Sequence, residues 1–315
     1  MGRHPRRPRT PRQAAAPAAR EVLTLTQSAP SHTRFVAIRA RLEAYEPRSG
    51  WQTWVYEFLL FGFKQGWACL FGGLMLGLLL TTHLFYPVGA PLSRYDFLTI
   101  AALGIQLAML VFRLETMDEA RVILAFHVVG TVMELFKTSV GSWAYPEGGL
   151  LHIGAVPLFS GFMYAAVGSY IARVWRIFDF RYTGYPRQSL AAALAMLIYI
   201  NFFAHHWLPD VRLALFAALG LLFARTRIYF RVWRADRWMP LLLGWFLVAL
   251  FIWFAENIAT FSNAWLYPNQ RSGWTAVHPG KLGAWYLLMY ISFVLVAWVH
   301  RPQAREALAP APHSP

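Results

Sequence analysis

Apolar residues run through this chain in long blocks, separated by short polar connections. A helix needs about 20 mostly apolar residues to cross the hydrocarbon core of a bilayer. The blocks predict eight such helices, over residues 58–82, 95–112, 122–138, 156–178, 190–207, 211–224, 239–261 and 282–299. The sixth is short. Pro209 separates the fifth from the sixth, and Pro157 and Pro240 stand at span entrances, where proline is tolerated. The expected fold class is all-α: a polytopic transmembrane helix bundle of about eight spans.

The pattern also repeats. Glu134, Trp143, Tyr145 and Pro146 recur as Glu256, Trp265, Tyr267 and Pro268, offset by 122 residues. His83 and Pro87 recur at the same offset as His205 and Pro209. His152, Gly154, Met163 and Tyr164 recur as His278, Gly280, Met289 and Tyr290, now offset by 126. Three blocks in one order imply a duplication of four spans. An even number of spans inserts both halves the same way up, which is the parallel-repeat case. The reading divides the chain into a basic tail and linker over 1–50, a first repeat over 51–181, a second over 182–301 and a short tail over 302–315. A fainter echo pairs Arg113 and Asp118 with Arg231 and Asp236.

Composition agrees with the membrane class. The chain is 57% hydrophobic and only 14% charged, too little charge to cover a soluble surface of this size. Its net charge of +14 would suggest nucleic acid, but the arginines gather at the ends of apolar blocks. The tail is arginine-rich, as are the connections after the fourth span (Arg173, Arg176, Arg181, Arg187) and the sixth (Arg225, Arg227, Arg231, Arg234, Arg237). Arg113, Arg121, Arg301 and Arg305 fall on the same side, and the other side offers little beyond Arg94, Arg212, Arg271 and Lys281. By the positive-inside rule both termini are cytoplasmic. The tail, residues 1–34, has no acid before Glu21 and too much proline to bury a core. It reads as a disordered cytosolic tail near anionic headgroups, with an organellar transit peptide as the alternative. The single cysteine, Cys69, excludes an intrachain disulfide and a cysteine-based metal or redox motif.

The repeated residues carry the candidate chemistry. Glu134 and Glu256 fall in the last turns of the third and seventh spans, where an acid is costly unless paired or hydrated. One reading makes them acid/base groups; the other makes them caps or partners of a histidine. His83, His152, His205 and His278 lie at the same face in sequence, and with the glutamates they are the candidate catalytic set. They suggest zinc or iron by ligand type, but no metal-ligand spacing supports it, so no metal is assigned and the cofactor is unknown. Trp143, Tyr145, Trp265 and Tyr267 fit an interfacial belt. Their fixed distance from a glutamate fits a substrate-binding wall better. Aromatic faces there would stabilise a carbocation formed on a polyene or isoprenoid. His127 shares the face of Glu134 about 10 Å deeper, and it and Asn257 break the symmetry of the halves. Lys64 and Lys137 read as snorkelling side chains near the interfaces.

A family resemblance follows from these residues. The run Met133-Glu134-Leu135-Phe136-Lys137, then Gly141-Ser142-Trp143-Ala144-Tyr145-Pro146, with Glu256-Asn257 and Trp265-Leu266-Tyr267-Pro268, resembles the bacterial membrane family known as domain of unknown function 817 (YoaT-like). The likeness covers about residues 55–300 and implies a multi-pass protein of a bacterial inner membrane, without supplying an activity. Glu134, Gly141, Tyr145 and the run Gly154, Val156, Pro157, Leu158 also look like the carotenoid-biosynthesis membrane hydratases and lycopene cyclases. That likeness implies acid-initiated chemistry on a polyene, with Glu134 as the matching acid. The paired-acid signature of the cyclases is missing. Three functions therefore stand: an acid/base enzyme on a lipid-soluble molecule, a proton- or cation-coupled transporter, and a non-catalytic scaffold. The partners expected are membrane lipids and a lipid-soluble small molecule, with no nucleic acid.

Overall fold

Each predicted block folds as helix, because its residues bury or expose apolar side chains all round and supply few turn residues. The computed structural model describes residues 50–300 and 302–304, with residues 38, 41, 42, 44, 45 and 47 ahead of them. The arginine-rich tail of residues 1–34, with both readings made of it, lies outside the described residues, as do Arg301 and residues 305–315. Nine helices form among the described residues: α1 Gly50–Ala68, α2 Leu70–Phe85, α3 Arg94–Val111, α4 Met117–Ser139, α5 Phe159–Ile177, α6 Gln188–Ala204, α7 Arg212–Phe223, α8 Leu241–Phe261 and α9 Lys281–His300.

Four of these, α3, α4, α8 and α9, are long and apolar enough to cross a membrane; the bent pair α1–α2 makes a fifth if it counts as one span. The remaining helices fall short of that test. α5 carries Arg173 and Arg176, and α6 and α7 run only 17 and 12 residues. The count of eight spans therefore exceeds what length and composition support. The outward faces are apolar: Leu103, Leu107, Val128, Val132, Phe246 and Phe254 are all exposed. A belt of that kind on several helices is the surface of a membrane protein.

The run read as one span over 58–82 is broken. α1 and α2 meet at 68° across Cys69. The Arg173 guanidinium donates to the Trp67 carbonyl at 3.2 Å, and a side chain inserted there diverts the helix ladder. Lys64, one turn earlier, is fully buried and donates to the Val232 carbonyl at 2.6 Å. Its ammonium is locked inside the fold, so the snorkelling reading is wrong for Lys64. Arg173 also meets Glu115 at 3.3 Å, both side chains wholly buried, while Arg176 pairs with Glu119 at 2.8 Å.

Helices α4 and α5 make the most extensive helix–helix contact in the bundle. α4 starts on a reciprocal capping box between Thr116 and Glu119. Along the contact Gly130, Gly161 and Gly168 leave room for Tyr164, His127 and Phe126 respectively; a β-carbon on any of them would sit within 2.7 Å of those rings. Small residues at such crossings let membrane helices approach.

The all-α expectation needs one correction. At the arginine-rich end a four-stranded sheet forms, with strands β3 Arg181–Thr183, β4 Arg227–Arg231, β5 Asp236–Pro240 and β6 Gln303–Ala304 in the order β5-β4-β3-β6. β4 and β5 are an antiparallel hairpin in register Arg231↔Asp236, closed by an ion pair of 2.9 Å between those residues. Alternation in β4 buries Ile228 and leaves Arg227 exposed, a period-two signal too short to stand out beside the apolar blocks. At the opposite end β1 His152–Ile153 and β2 Val156–Pro157 make a small hairpin.

Candidate functional site

The two acid-bearing helices end alike. After α4, Gly141 takes φ 72° and Ser142 N–H donates to the Lys137 carbonyl at 2.9 Å. After α8, Asn263 takes φ 53° and Ala264 N–H donates to the Ala259 carbonyl at 3.0 Å. This left-handed cap turns each chain sharply back across its helix end. The aromatic loops are thereby folded under the acids.

Glu134 is buried and takes three hydrogen bonds. Trp143 Nε1–H and the Tyr145 hydroxyl donate to Oε2, each at 2.6 Å, and the Tyr164 hydroxyl donates to Oε1 at 2.6 Å. Glu256 is buried likewise. Trp285 Nε1–H donates to its Oε2 at 2.6 Å and the Tyr267 hydroxyl to its Oε1. In both sites an indole fixes one carboxyl oxygen and a phenol faces the other. Burial first, and the neighbouring acid second, push the Tyr145 and Tyr267 hydroxyls well above the ordinary tyrosine range. Both remain protonated donors at neutral pH. The loops also pair with one another: Ala144 and Leu266 exchange backbone hydrogen bonds of 3.0 and 2.9 Å in an antiparallel bridge.

Arg94 and Tyr95 hold this arrangement from α3. The guanidinium donates to the carbonyls of Ser262 and Asn263, both at 2.9 Å, and pairs with Glu147 at 2.8 Å. It thus neutralises the carbonyl end of α8. Asp96, in the same first turn of α3, accepts from the backbone N–H groups of Leu150 and Leu151 and anchors the loop after the first aromatic segment.

A cavity of about 660 Å³ runs from this acid end into the bundle. Its walls come from α2, α5, α8 and α9, and its far end is closed by Phe178, Phe180, Ile228 and Phe230. Along α8 the lining extends from Leu241 to Glu256, a rise of about 22 Å. Glu134, Glu256, Trp143, Tyr145, Trp265 and Tyr267 all line it, with Tyr164, Trp285 and Lys281. Leu247 and Phe251 line it too and are exposed on the outer face of α8, so the cavity reaches the apolar flank of the bundle.

The family of proteins of unknown function DUF817 matches residues 57–293. The chain belongs to that family. A relative is the uncharacterised protein YoaT of Bacillus subtilis (strain 168), 43% identical over 243 residues that cover 77% of this chain and 91% of YoaT. No solved structure matches it. The DUF817 match takes in both glutamates, both aromatic loops and the cavity walls up to Phe293.

The histidines of this DUF817 chain sit apart from the acids. His83 packs on Phe261, with ring centres 5.5 Å apart. His152 is exposed and bonds its own loop at the Gly154 carbonyl, 2.7 Å away. His278, also exposed, accepts the Gly280 N–H at 3.0 Å. His205 is bonded to the Asn201 carbonyl at 3.0 Å and lies beside His206. None of the four touches either glutamate, and among the described residues no group of three or more His, Cys, Asp or Glu side chains converges to hold a metal. His127 packs on Phe162 at 4.4 Å between centroids, under Gly161 and outside the cavity lining. Asn257 is a loop anchor: its Oδ1 accepts the Val277 N–H at 2.9 Å and its Nδ2 donates to the Trp253 carbonyl at 2.8 Å. Lys137 is buried, donating to the Phe202 carbonyl at 2.9 Å and facing His206 Nε2 at 3.1 Å. It is therefore no snorkelling residue either. Since an ammonium cannot accept, His206 Nε2 is the unprotonated nitrogen.

Three residues at the site escaped the sequence reading. Tyr164 stood in the repeated block without a role, Trp285 lies 29 positions from the acid it serves, and Lys281 read only as a sparse cation of the far side. The first was legible as a repeat; the others carry no signal at helical spacing.

Proposed function

We propose that this chain is an acid/base enzyme acting on a lipid-soluble, isoprenoid- or polyene-like molecule drawn into the cavity from the bilayer. The observation that carries the reading is a long apolar cavity ending on two buried carboxyl groups. Indole N–H can only donate, so the indole-bound oxygen of each glutamate is an acceptor. When the acid is protonated, its proton belongs on the other oxygen, Oε1, because the hydroxyl of Tyr164 or Tyr267 there can turn from donor to acceptor, which an indole cannot. Protonation of a substrate double bond from there leaves a carboxylate that the Trp and Tyr donors stabilise. The carbocation would lie among the faces of Trp143, Tyr145, Trp265 and Tyr267. Loss of a proton to a carboxylate then completes the cycle, so the acid is regenerated.

Two further parts of the reading find support in the geometry. The exchange between Ala144 and Leu266, positions 122 residues apart, is the contact a two-fold axis between duplicated halves would generate. The arginine-rich sheet at the far end supports a non-cytoplasmic position for the acids, by the positive-inside rule. A transporter is the second reading, favoured by the duplication alone; the apolar wall between the acids and the sheet weighs against it.

The test compares total lipid extracts by mass spectrometry from cells lacking the protein and cells expressing wild type or Glu134→Gln at matched membrane levels. A species that appears or vanishes only with wild type is expected, and its mass difference names the reaction. Three identical extracts would remove lipid chemistry and leave the transporter and scaffold readings.

A further inference from the structure

Of the cations near the acid end, Arg94, Lys137 and Arg212 each have an acceptor for their charge, and Lys281 does not. Lys137 spends its ammonium on the Phe202 carbonyl and His206, and lies over the Phe202 ring at 4.0 Å. Arg212 is held by Asp210 at 3.2 Å. Lys281, at the start of α9, lines the cavity with its Nζ 4.3 Å from the centre of the Tyr267 ring. Among the described residues its ammonium makes no hydrogen bond or ion pair; its backbone N–H is bonded to the His278 carbonyl.

Glu256 is the obvious partner for that ammonium and does not take it. Both of its oxygens already accept from Tyr267 and Trp285, and Lys281 sits over the face of the tyrosine instead. Neither Lys137 nor Arg212 lines the cavity, so Lys281 is the cation it meets at the acid end. An ammonium carries three donors and is costly to hold beside apolar surface without an acceptor. From Lys281 the cavity follows α9 past Leu288 and Met289 to Phe293, a rise of about 18 Å.

We propose that Lys281 binds the head of the cavity's ligand, and that this ligand is a single-chain amphiphile ending in an anionic oxygen group, its tail lying along α9. The proposal rests on the cavity being a ligand site, as in the function above, and is independent of the acid chemistry. A carboxylate and a phosphate monoester share the required chemistry, and the experiment separates them.

The full chain in phosphatidylcholine nanodiscs is titrated with hexadecanol, palmitate and hexadecyl phosphate, binding being read by displacement of a fluorescent fatty-acid probe. Wild type is expected to bind at least one of the two anions about tenfold more tightly than the alcohol, and the anion so preferred names the headgroup. Lys281→Met should bind all three alike, whereas Lys281→Arg and Lys137→Met should keep the preference. Equal binding of alcohol and anions by wild type, or a preference that survives in Lys281→Met, would overturn the proposal. Lys281→Arg guards against a folding defect, since it keeps the charge at the same place. Glu134→Gln should lose turnover yet retain the anion preference, so failure of the acid chemistry and failure of this site are separable.

Discussion

At the scale of single residues the site is a problem of satisfying buried acids. A glutamate inside an apolar bundle is tolerated only when donors surround it, and here indoles and phenols supply them. Removing the Tyr164 hydroxyl leaves Oε1 of Glu134 without its partner. Tyr164→Phe is expected to lower stability by about 1–3 kcal/mol, read as earlier thermal unfolding of the purified protein by tryptophan fluorescence; unchanged unfolding would show that Oε1 finds water instead. Glu134 with Trp143 and Tyr145, and Glu256 with Tyr267, were legible in the sequence because a fixed spacing after the helix end places the loop beneath the acid. Trp265 shares the cavity without bonding Glu256. Tyr164 shows why repeats mislead: its counterpart, Tyr290, donates to the Ala191 carbonyl at 2.7 Å and leaves Glu256 to Trp285. The histidines were misleading for a related reason. Equivalent positions at one face need not converge: His152, His205 and His278 bond within their own segments, and His83 packs on Phe261 of α8.

At the scale of elements, close helix approach sets the geometry of the acids. Gly130 lies one turn before Glu134 on α4, and a β-carbon there would come within 2.6 Å of the Tyr164 side chain. Gly130→Ala should push Tyr164 off Glu134, costing about 1–3 kcal/mol from overpacking and reducing turnover with it. Gly104→Ala, where nothing lies within 4 Å of the new carbon, should be neutral or slightly stabilising. Thermal unfolding of the two variants side by side checks this; equal behaviour would mean that α4 and α5 yield freely. The apolar blocks located the helices but merged α1 and α2 into one span, so they could not show the break at Cys69. At that break Arg173, more than a hundred residues away in sequence, reaches the Trp67 carbonyl. The sheet at the arginine end was hidden similarly, since strands of two to five residues fall below what alternation resolves.

At the scale of the whole molecule, the bundle joins two polar ends by an apolar interior. The arginine end is closed by the sheet and the Glu115–Arg173 pair, while the acid end is tied together by the aromatic loops and Arg94. The cavity lies between them, and its walls can be altered without touching the acids. Gly73 lines it, and a β-carbon at that position meets nothing within 4 Å. A large side chain there would occupy the volume a substrate needs. Membranes containing wild type, Glu134→Gln, Glu256→Gln or Gly73→Trp, incubated with the lipid extract of cells lacking the protein, put the central claim to its most direct test. Wild-type membranes should convert one lipid species over time, with Glu134→Gln and Gly73→Trp inactive although correctly inserted. Conversion that persists in both of those variants would contradict acid chemistry inside the cavity.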